Sequence, residues 1–258
     1  MDGLMGIGGN RFYVLLAIIF IRYVVLASLA YVIFYYAKRN KWSFKKIQQA
    51  FPVFSDYQRE FLYSASTALI FAALGYFFFF GPLAKYTFVY KDIHAYSTGY
   101  FILSVVLTLV LHDTYFYWSH RLMHHPRLFK YFHRVHHLST NPSPWAAMAF
   151  HPLEAVVEFG IVGIVPFFYP IHPLAIALFL LVMMIYNVYG HLGFELYPKG
   201  FSKSAIGKWI NTSVNHNQHH QYINGNFGLY FLWWDRWMGT LRKDYDQEFE
   251  DVKARIPR

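Results

Sequence analysis

The chain contains no cysteine, which excludes disulfides, thiolate-held metals and c-type haem attachment. Charge is also scarce. Asp, Glu, Lys and Arg make up 14% of the 258 residues, against 56% hydrophobic and 22% aromatic residues. Soluble domains carry roughly a quarter charged residues, so this composition points to a membrane protein. Acidic residues are the scarcer sign, 14 against 23 Lys and Arg, for a net charge of +9. The basic residues sit in short segments flanking apolar runs. That placement fits the cytoplasmic edge of a membrane protein and anionic headgroups, with no nucleic acid as partner. Tandem repeats and low-complexity tails are absent.

Apolar runs set the organisation. Residues 12–37 are long enough to span a bilayer, with Arg22 as the only charge. A cleaved signal peptide would have a shorter apolar run and a basic region ahead of it. Lys38, Arg39, Lys41, Lys45 and Lys46 follow at once and place that end in the cytoplasm. Residues 42–64 alternate aromatic and polar side chains and read as an interfacial amphipathic element. Residues 65–82 cross back, 83–98 form a short outer connection, and 99–119 return. Residues 153–190 form an apolar hairpin, broken by Pro166, Pro170 and Pro173, which leaves and re-enters on the same side. The polar remainder, 196–258, is then cytoplasmic as well. The expected fold is all-α, a multi-pass membrane protein of about four or five spans with a cytosol-facing, histidine-rich helical cap. Its expected divisions are N-terminal spans and interfacial segment (1–98), a catalytic domain (99–242) and a polar C-terminal tail (243–258).

Histidines fall in groups. His120 and His124 are four apart, His133, His136 and His137 form H-x-x-H-H, and His216, His219 and His220 repeat it. On helices each group shares a face. Pro126 lies between the first two groups, where it ends one helix and opens the next. The charge-derived topology carries all three groups to one membrane face. These eight imidazoles are too many for one tetrahedral ion and suit two metals. Imidazole binds iron, zinc, copper and nickel, and the spacing does not choose among them. A zinc-hydrolase H-E-x-x-H helix needs a glutamate after its first histidine, whereas Arg121 follows His120. Membrane b-type haem takes isolated histidines deep in a bundle, unlike these groups at a helix end.

Longer motifs join the histidines: D-x-x-x-Y-W-x-H-R-x-x-H from Asp113 to His124, H-R-V-H-H at 133–137, and N-P-S-P-W-A-A-M-A-F-H-P-L-E at 141–154. G-H-L-G at 190–193, N-H-N-Q-H-H at 215–220 and N-F-G-L-Y-F-L-W-W-D-R-W-M-G-T at 226–240 complete the set. Over roughly residues 100–242 the chain resembles the membrane fatty acid hydroxylase and sterol desaturase superfamily, and its motifs look most like those of sterol desaturases. The resemblance implies a histidine-ligated di-iron centre that activates dioxygen. By position its ligands are His120, His124, His133, His136, His137, His216, His219 and His220, with His191 as a ninth. It also implies two iron ions, O2 as co-substrate and electrons from a separate donor, either a b-type cytochrome or a ferredoxin and reductase. The substrate would be a membrane lipid, sterol or fatty acyl, hydroxylated or desaturated at a C–H bond. Two other classes are weighed against this. A zinc-dependent membrane hydrolase lacks its glutamate base here. A non-catalytic membrane metal-binding or transport protein would line several spans with acidic or polar residues, whereas these spans are nearly free of carboxylates.

Around the ligands, His112, Asp113, Glu154 and Asp235 are expected to support the site. Asp113 lies in a span, where a carboxylate is costly without a partner, and is expected to orient an imidazole or pair with Arg121 or Arg134. His112 precedes His120 by eight residues and reads equally as a supporting group or a hydrogen-bonded core histidine. Glu158 shares the helical face of Glu154. His125 is rotated about 100° from His124 and stays outside the ligand set. His94 and His172 fall on the outer side. Gly160 and Gly163 miss the G-x-x-x-G spacing, so no dimer is drawn from them.

Overall fold

A computed structural model describes residues 2–256, with side chains from Asn10. Among the described residues every named element is helical, and extended pairing is limited to three isolated bridges. Four helices are long and apolar enough to cross a membrane: Asn10–Ala37, Phe54–Phe79, Thr98–Met123 and Pro173–Gly190. The first joins α1 (Asp2–Tyr31) to a π-helical turn, Val32–Ala37. The others are α2, α3 and α6, with α4 (Pro126–Phe132) and α5 (Pro152–Ile164) between the last two. With 13 residues, α5 is only about 20 Å long. It is the short arm of the hairpin whose corner holds Pro166, Pro170 and Pro173.

One boundary differs from the sequence reading. Residues 42–64 are not a separate interfacial element, because α2 starts at Phe54 and runs unbroken to Phe79. Asp56 accepts from the Val53 N–H at 3.1 Å and closes the first turn after Pro52. Glu60, Ser64, Thr67, Phe71 and Gly75 then form one buried stripe. Glu60 and Ser64 of this stripe find partners inside the bundle, which holds them away from the membrane surface. The Ser143 hydroxyl donates to Glu60, and the Ser64 and Tyr23 hydroxyls both donate to the Trp145 carbonyl at 2.9 Å. Fully buried Ala27, Ala68, Ala72 and Ala147 let α1, α2 and the 139–150 strap approach closely.

The two ends of the bundle are distinct. At one end the basic loop meets the end of α6, with Ile47 N donating to Gly193 O and Glu195 N to Lys45 O, both at 2.9 Å. At the other end Phe88 N donates to Pro166 O at 2.7 Å, closing the 83–98 connection over the hairpin corner. His94 and His172 lie there, and His172 caps α6 through Leu174 N. The basic end is completed by α7 (Ser213–Tyr222), α8 (Trp233–Trp237) and α9 (Tyr245–Ala254). The segment read as a polar tail is therefore largely folded. Tyr245, Phe249 and Val252 fall on one face of α9 and pack with Ile47, Val214 and Leu232.

Lys46 is 1% exposed at the junction of these parts. Its Nζ reaches Asn141 Oδ1 at 3.4 Å and lies 5.2–5.8 Å from the rings of Tyr35, Phe51 and Phe194. Burial pushes its pKa down to about 7. The unfolded chain therefore holds more protons between pH 7 and 10.5, and stability rises with pH across that window. Lys46→Met keeps the length and removes the buried amine. Its Tm at pH 7 should equal or exceed that of the parent, and the rise between pH 7 and 9 should be smaller. A Tm lowered at pH 7, with the pH slope kept, would assign Lys46 a net stabilising charge.

Candidate metal centre

The first two histidine groups and His191 sit where an element stops. His120 is in the last turn of α3 and His124 caps it. Pro126 opens α4, whose C-cap is His133, and a single 3-10 turn (His136–Leu138) presents the next two. His191 caps α6, and α7 carries His216, His219 and His220. Nine histidines gather in two groups, each with ligand atoms within 4.8 Å of one another. One holds His120, His124, His133, His137 and His219, and the other His136, His191, His216 and His220. Each H-x-x-H-H triplet is split between them. The outer, i,i+4 pair enters one group (His133 and His137; His216 and His220), while the middle histidine (His136; His219) crosses to the other. The two groups therefore share two polypeptide segments and must form together.

The ring nitrogens are oriented by what surrounds them. Nδ1 of His120 faces Phe227 O at 2.9 Å, of His191 Asn187 O at 2.7 Å, of His219 Gly225 O at 2.8 Å and of His220 Ser139 O at 2.9 Å. His136 Nδ1 lies 3.4 Å from Ala149 O, and His133 Nδ1 is 2.6 Å from Glu154 Oε1. A backbone carbonyl oxygen only accepts, so the Nδ1 facing it carries N–H and the Nε2 of that neutral ring keeps a lone pair. Those lone pairs face each other. Nε2 of His120 and His133 are 2.9 Å apart, of His136 and His191 3.2 Å, and of His191 and His220 3.1 Å. Two acceptors this close repel unless a cation lies between them. Separations near 3 Å match neighbouring ligands around one ion about 2.1 Å from each nitrogen. The donor set thus fits a metal in each group.

Burial keeps these imidazoles neutral. It lowers the pKa of His124, His133, His136, His137, His216, His219 and His220 well below the usual value, and that of His191 to about 4. At neutral pH no proton competes for the lone pairs.

The four supporting residues have different fates. Glu154 is fully buried, with Oε1 2.6 Å from His133 Nδ1. Asp235 acts one step further out. Its carboxylate accepts from Phe227 N (2.9 Å), Gly228 N (2.7 Å) and the Thr240 hydroxyl (2.7 Å), which fixes the carbonyl that orients His120. A Cβ at Gly228 would lie 2.4 Å from Phe231 O, so only glycine admits this turn. Asp113 reaches neither an imidazole nor a guanidinium. Its Oδ1 accepts from Tyr230 N (2.8 Å) and Phe231 N (3.1 Å), because the 226–231 loop folds back over α3. His112 bonds the Tyr230 hydroxyl at 2.8 Å and packs on Phe179, a core histidine of the same junction. His125 is exposed, and its Nδ1 accepts from Arg127 N. The backbone carbonyls of Phe227, Gly225, Asn187 and Ser139 left no trace in the sequence reading, since any residue supplies one.

Glu154→Gln keeps an acceptor for the His133 N–H and removes the charge. Metal affinity should fall roughly 10- to 100-fold, measured by competition with a chelator. Unchanged affinity would reduce Glu154 to a packing role.

Fold and site define a polytopic membrane protein with paired histidine clusters suited to two metals. The chain belongs to the fatty acid hydroxylase family, whose model matches residues 105–240. It is 31% identical over 165 residues to a Delta(7)-sterol 5(6)-desaturase of Gibberella zeae, covering 64% of this chain and 50% of that protein. It is 32% identical over 162 residues to the lathosterol oxidase of Rattus norvegicus, covering 62% and 52%. The human lathosterol oxidase is 30% identical over 159 residues, covering 61% and 52%. The chain thus spans about half the length of these relatives. No solved structure gives a significant match.

Proposed function

We propose that the protein oxidises a C–H bond of a membrane lipid, of the sterol class, using dioxygen and electrons from a separate donor. The observation that carries this reading is the convergence of nine imidazoles into two adjacent clusters that could each hold a metal ion, in a chain similar to sterol desaturases. The proposed ligands are His120, His124, His133, His137 and His219 for one iron and His136, His191, His216 and His220 for the other. Bound there, the irons supply the binding and reduction of dioxygen and the removal of hydrogen from carbon.

The chain's own residues do the rest. Glu154 and the carbonyls at Phe227, Gly225, Asn187 and Ser139 hold the rings in one orientation and tautomer. The aromatic walls keep bulk water out, with Phe150 against His136 and Phe227 against His120 and His124. In desaturation, CH2–CH2 plus O2, two protons and two electrons give CH=CH and two waters. In hydroxylation the same inputs give an alcohol and one water. The two-electron demand is met from outside the described residues, so a b-type cytochrome or a ferredoxin and reductase is part of the proposal. The basic loop packed beside the histidine end supports a cytoplasmic face for the centre, where a soluble or tethered donor has access.

The test is metal content and sterol turnover in full-length protein purified without added zinc. Two irons per chain, no haem absorption and conversion of lathosterol with an electron donor supplied are the expected results. A single zinc, with no oxidation after iron reconstitution, would favour a hydrolase instead.

A further inference from the structure

Eight of the nine clustered histidines are buried, and His124 alone is partly exposed. It lies in a cleft of about 680 Å3 between the end of α3, the start of α4 and the 223–227 loop, a size usual for small-molecule pockets. The walls are apolar: Trp118, Leu122, Pro126, Phe129, Ile223 and Phe227. Phe129 and Phe227 lie 5.4 and 5.0 Å from the His124 ring. Arg121, His125, Asn224 and Thr240 add polar groups to the lining.

Two independent observations say what the cleft takes. First, exposed Leu103, Leu107, Leu111, Trp118 and Leu122 lie along one side of the span α3. Their spacing of four and seven residues makes one lipid-facing stripe, and its last two members are cleft walls. The cleft is therefore continuous with the bilayer. Second, Ile223 has φ 63°, one of two non-glycine residues with positive φ among the described residues. A β-branched side chain strongly disfavours that backbone, and glycine is the usual residue after a helix end. Here the strained position directs an isoleucine, 40% exposed, into the cleft beside His124.

We infer that this cleft is the lipid-binding pocket, loaded sideways from the membrane past Trp118 and Leu122, and that Ile223 is a specificity-determining wall residue. The inference rests on the oxidation reading above and adds the route, the pocket and the metal group that meets substrate. The reacting carbon approaches the five-histidine group through the His124 side, while the four-histidine group stays behind the protein. A mainly apolar lipid with a small polar end fits the apolar walls and the polar groups of Arg121 and Asn224 among them.

The experiment uses the full chain in lipid nanodiscs with a diazirine-bearing sterol. Crosslinks should map to 118–129 and 223–227 and be displaced by excess lathosterol. Ile223→Gly relieves the backbone, so Tm should hold or rise, while the apparent KM for lathosterol should rise roughly tenfold with little change in kcat. Leu122→Trp, at the mouth, should slow crosslinking without altering metal content. Crosslinks confined to α1, α2 or α6, no displaceable crosslink at all, or an unchanged KM in Ile223→Gly would overturn the pocket. Crosslinks at the cleft with no sterol oxidised would keep the pocket and overturn the oxidation reading.

Discussion

His136→Ala should abolish lipid oxidation, by about 1,000-fold or more, and lower metal content from two ions per chain to about one. The reason is the division of the ligands. His136 comes from the first triplet but serves the four-histidine group, leaving only His191, His216 and His220 when it is removed. Its Nε2 lies 3.2 Å from that of His191, so it occupies a shared edge of that site. His219→Ala is the reciprocal experiment. His219 crosses the other way, and its removal leaves four imidazoles out of five. Activity should fall comparably, yet metal loss should be smaller. His125→Ala supplies the control. The side chain is exposed and caps α4 through Arg127 N, so the cost should be at most about 1 kcal/mol of stability, with metal intact. Metal analysis of the three purified variants checks all of this. Equal metal loss in His136→Ala and His219→Ala would mean the two groups bind as one unit.

Asp235→Ala should give the largest loss of stability outside the ligands. The carboxylate is fully buried and accepts three hydrogen bonds, from Phe227 N, Gly228 N and Thr240 Oγ1. Removing it strands those donors, at roughly 1–3 kcal/mol each, for a total on the order of 3–5 kcal/mol once the loop relaxes. Because Phe227 O orients His120, metal affinity should also drop about 10- to 100-fold. Asp235→Asn retains one acceptor and should fall between. Thermal unfolding and chelator competition separate the two effects. A destabilised Asp235→Ala that binds metal as tightly as the parent would show that His120 is held without the loop.

Much of the site is legible in the sequence because helical periodicity is local. The i,i+4 pairs His120–His124, His133–His137 and His216–His220 each remain together in the structure. Apolar run length locates the spans for the same reason, and Pro126 marks a helix start because it lacks an N–H. The start of α2 was not legible. Its polar stripe at Glu60 and Ser64 reads as a membrane surface until Ser143 and Trp145 are seen to satisfy it. Proximity in sequence puts Asp113 beside the ligands, yet its partners are backbone N–H groups more than a hundred residues away.

The sequence by itself determined that this is a multi-span, all-helical chain whose imidazoles cluster at one end, since burial of apolar runs and the pitch of a helix need no distant partner. Only the tertiary structure decided which histidine joins which cluster, because the middle member of each triplet crosses to the group formed with the neighbouring segment. It also decided the tautomer of His120, His136, His191, His219 and His220, whose Nδ1 atoms face backbone carbonyls, and the strained conformation at Ile223. These depend on how remote segments meet, and a backbone oxygen looks the same in every residue.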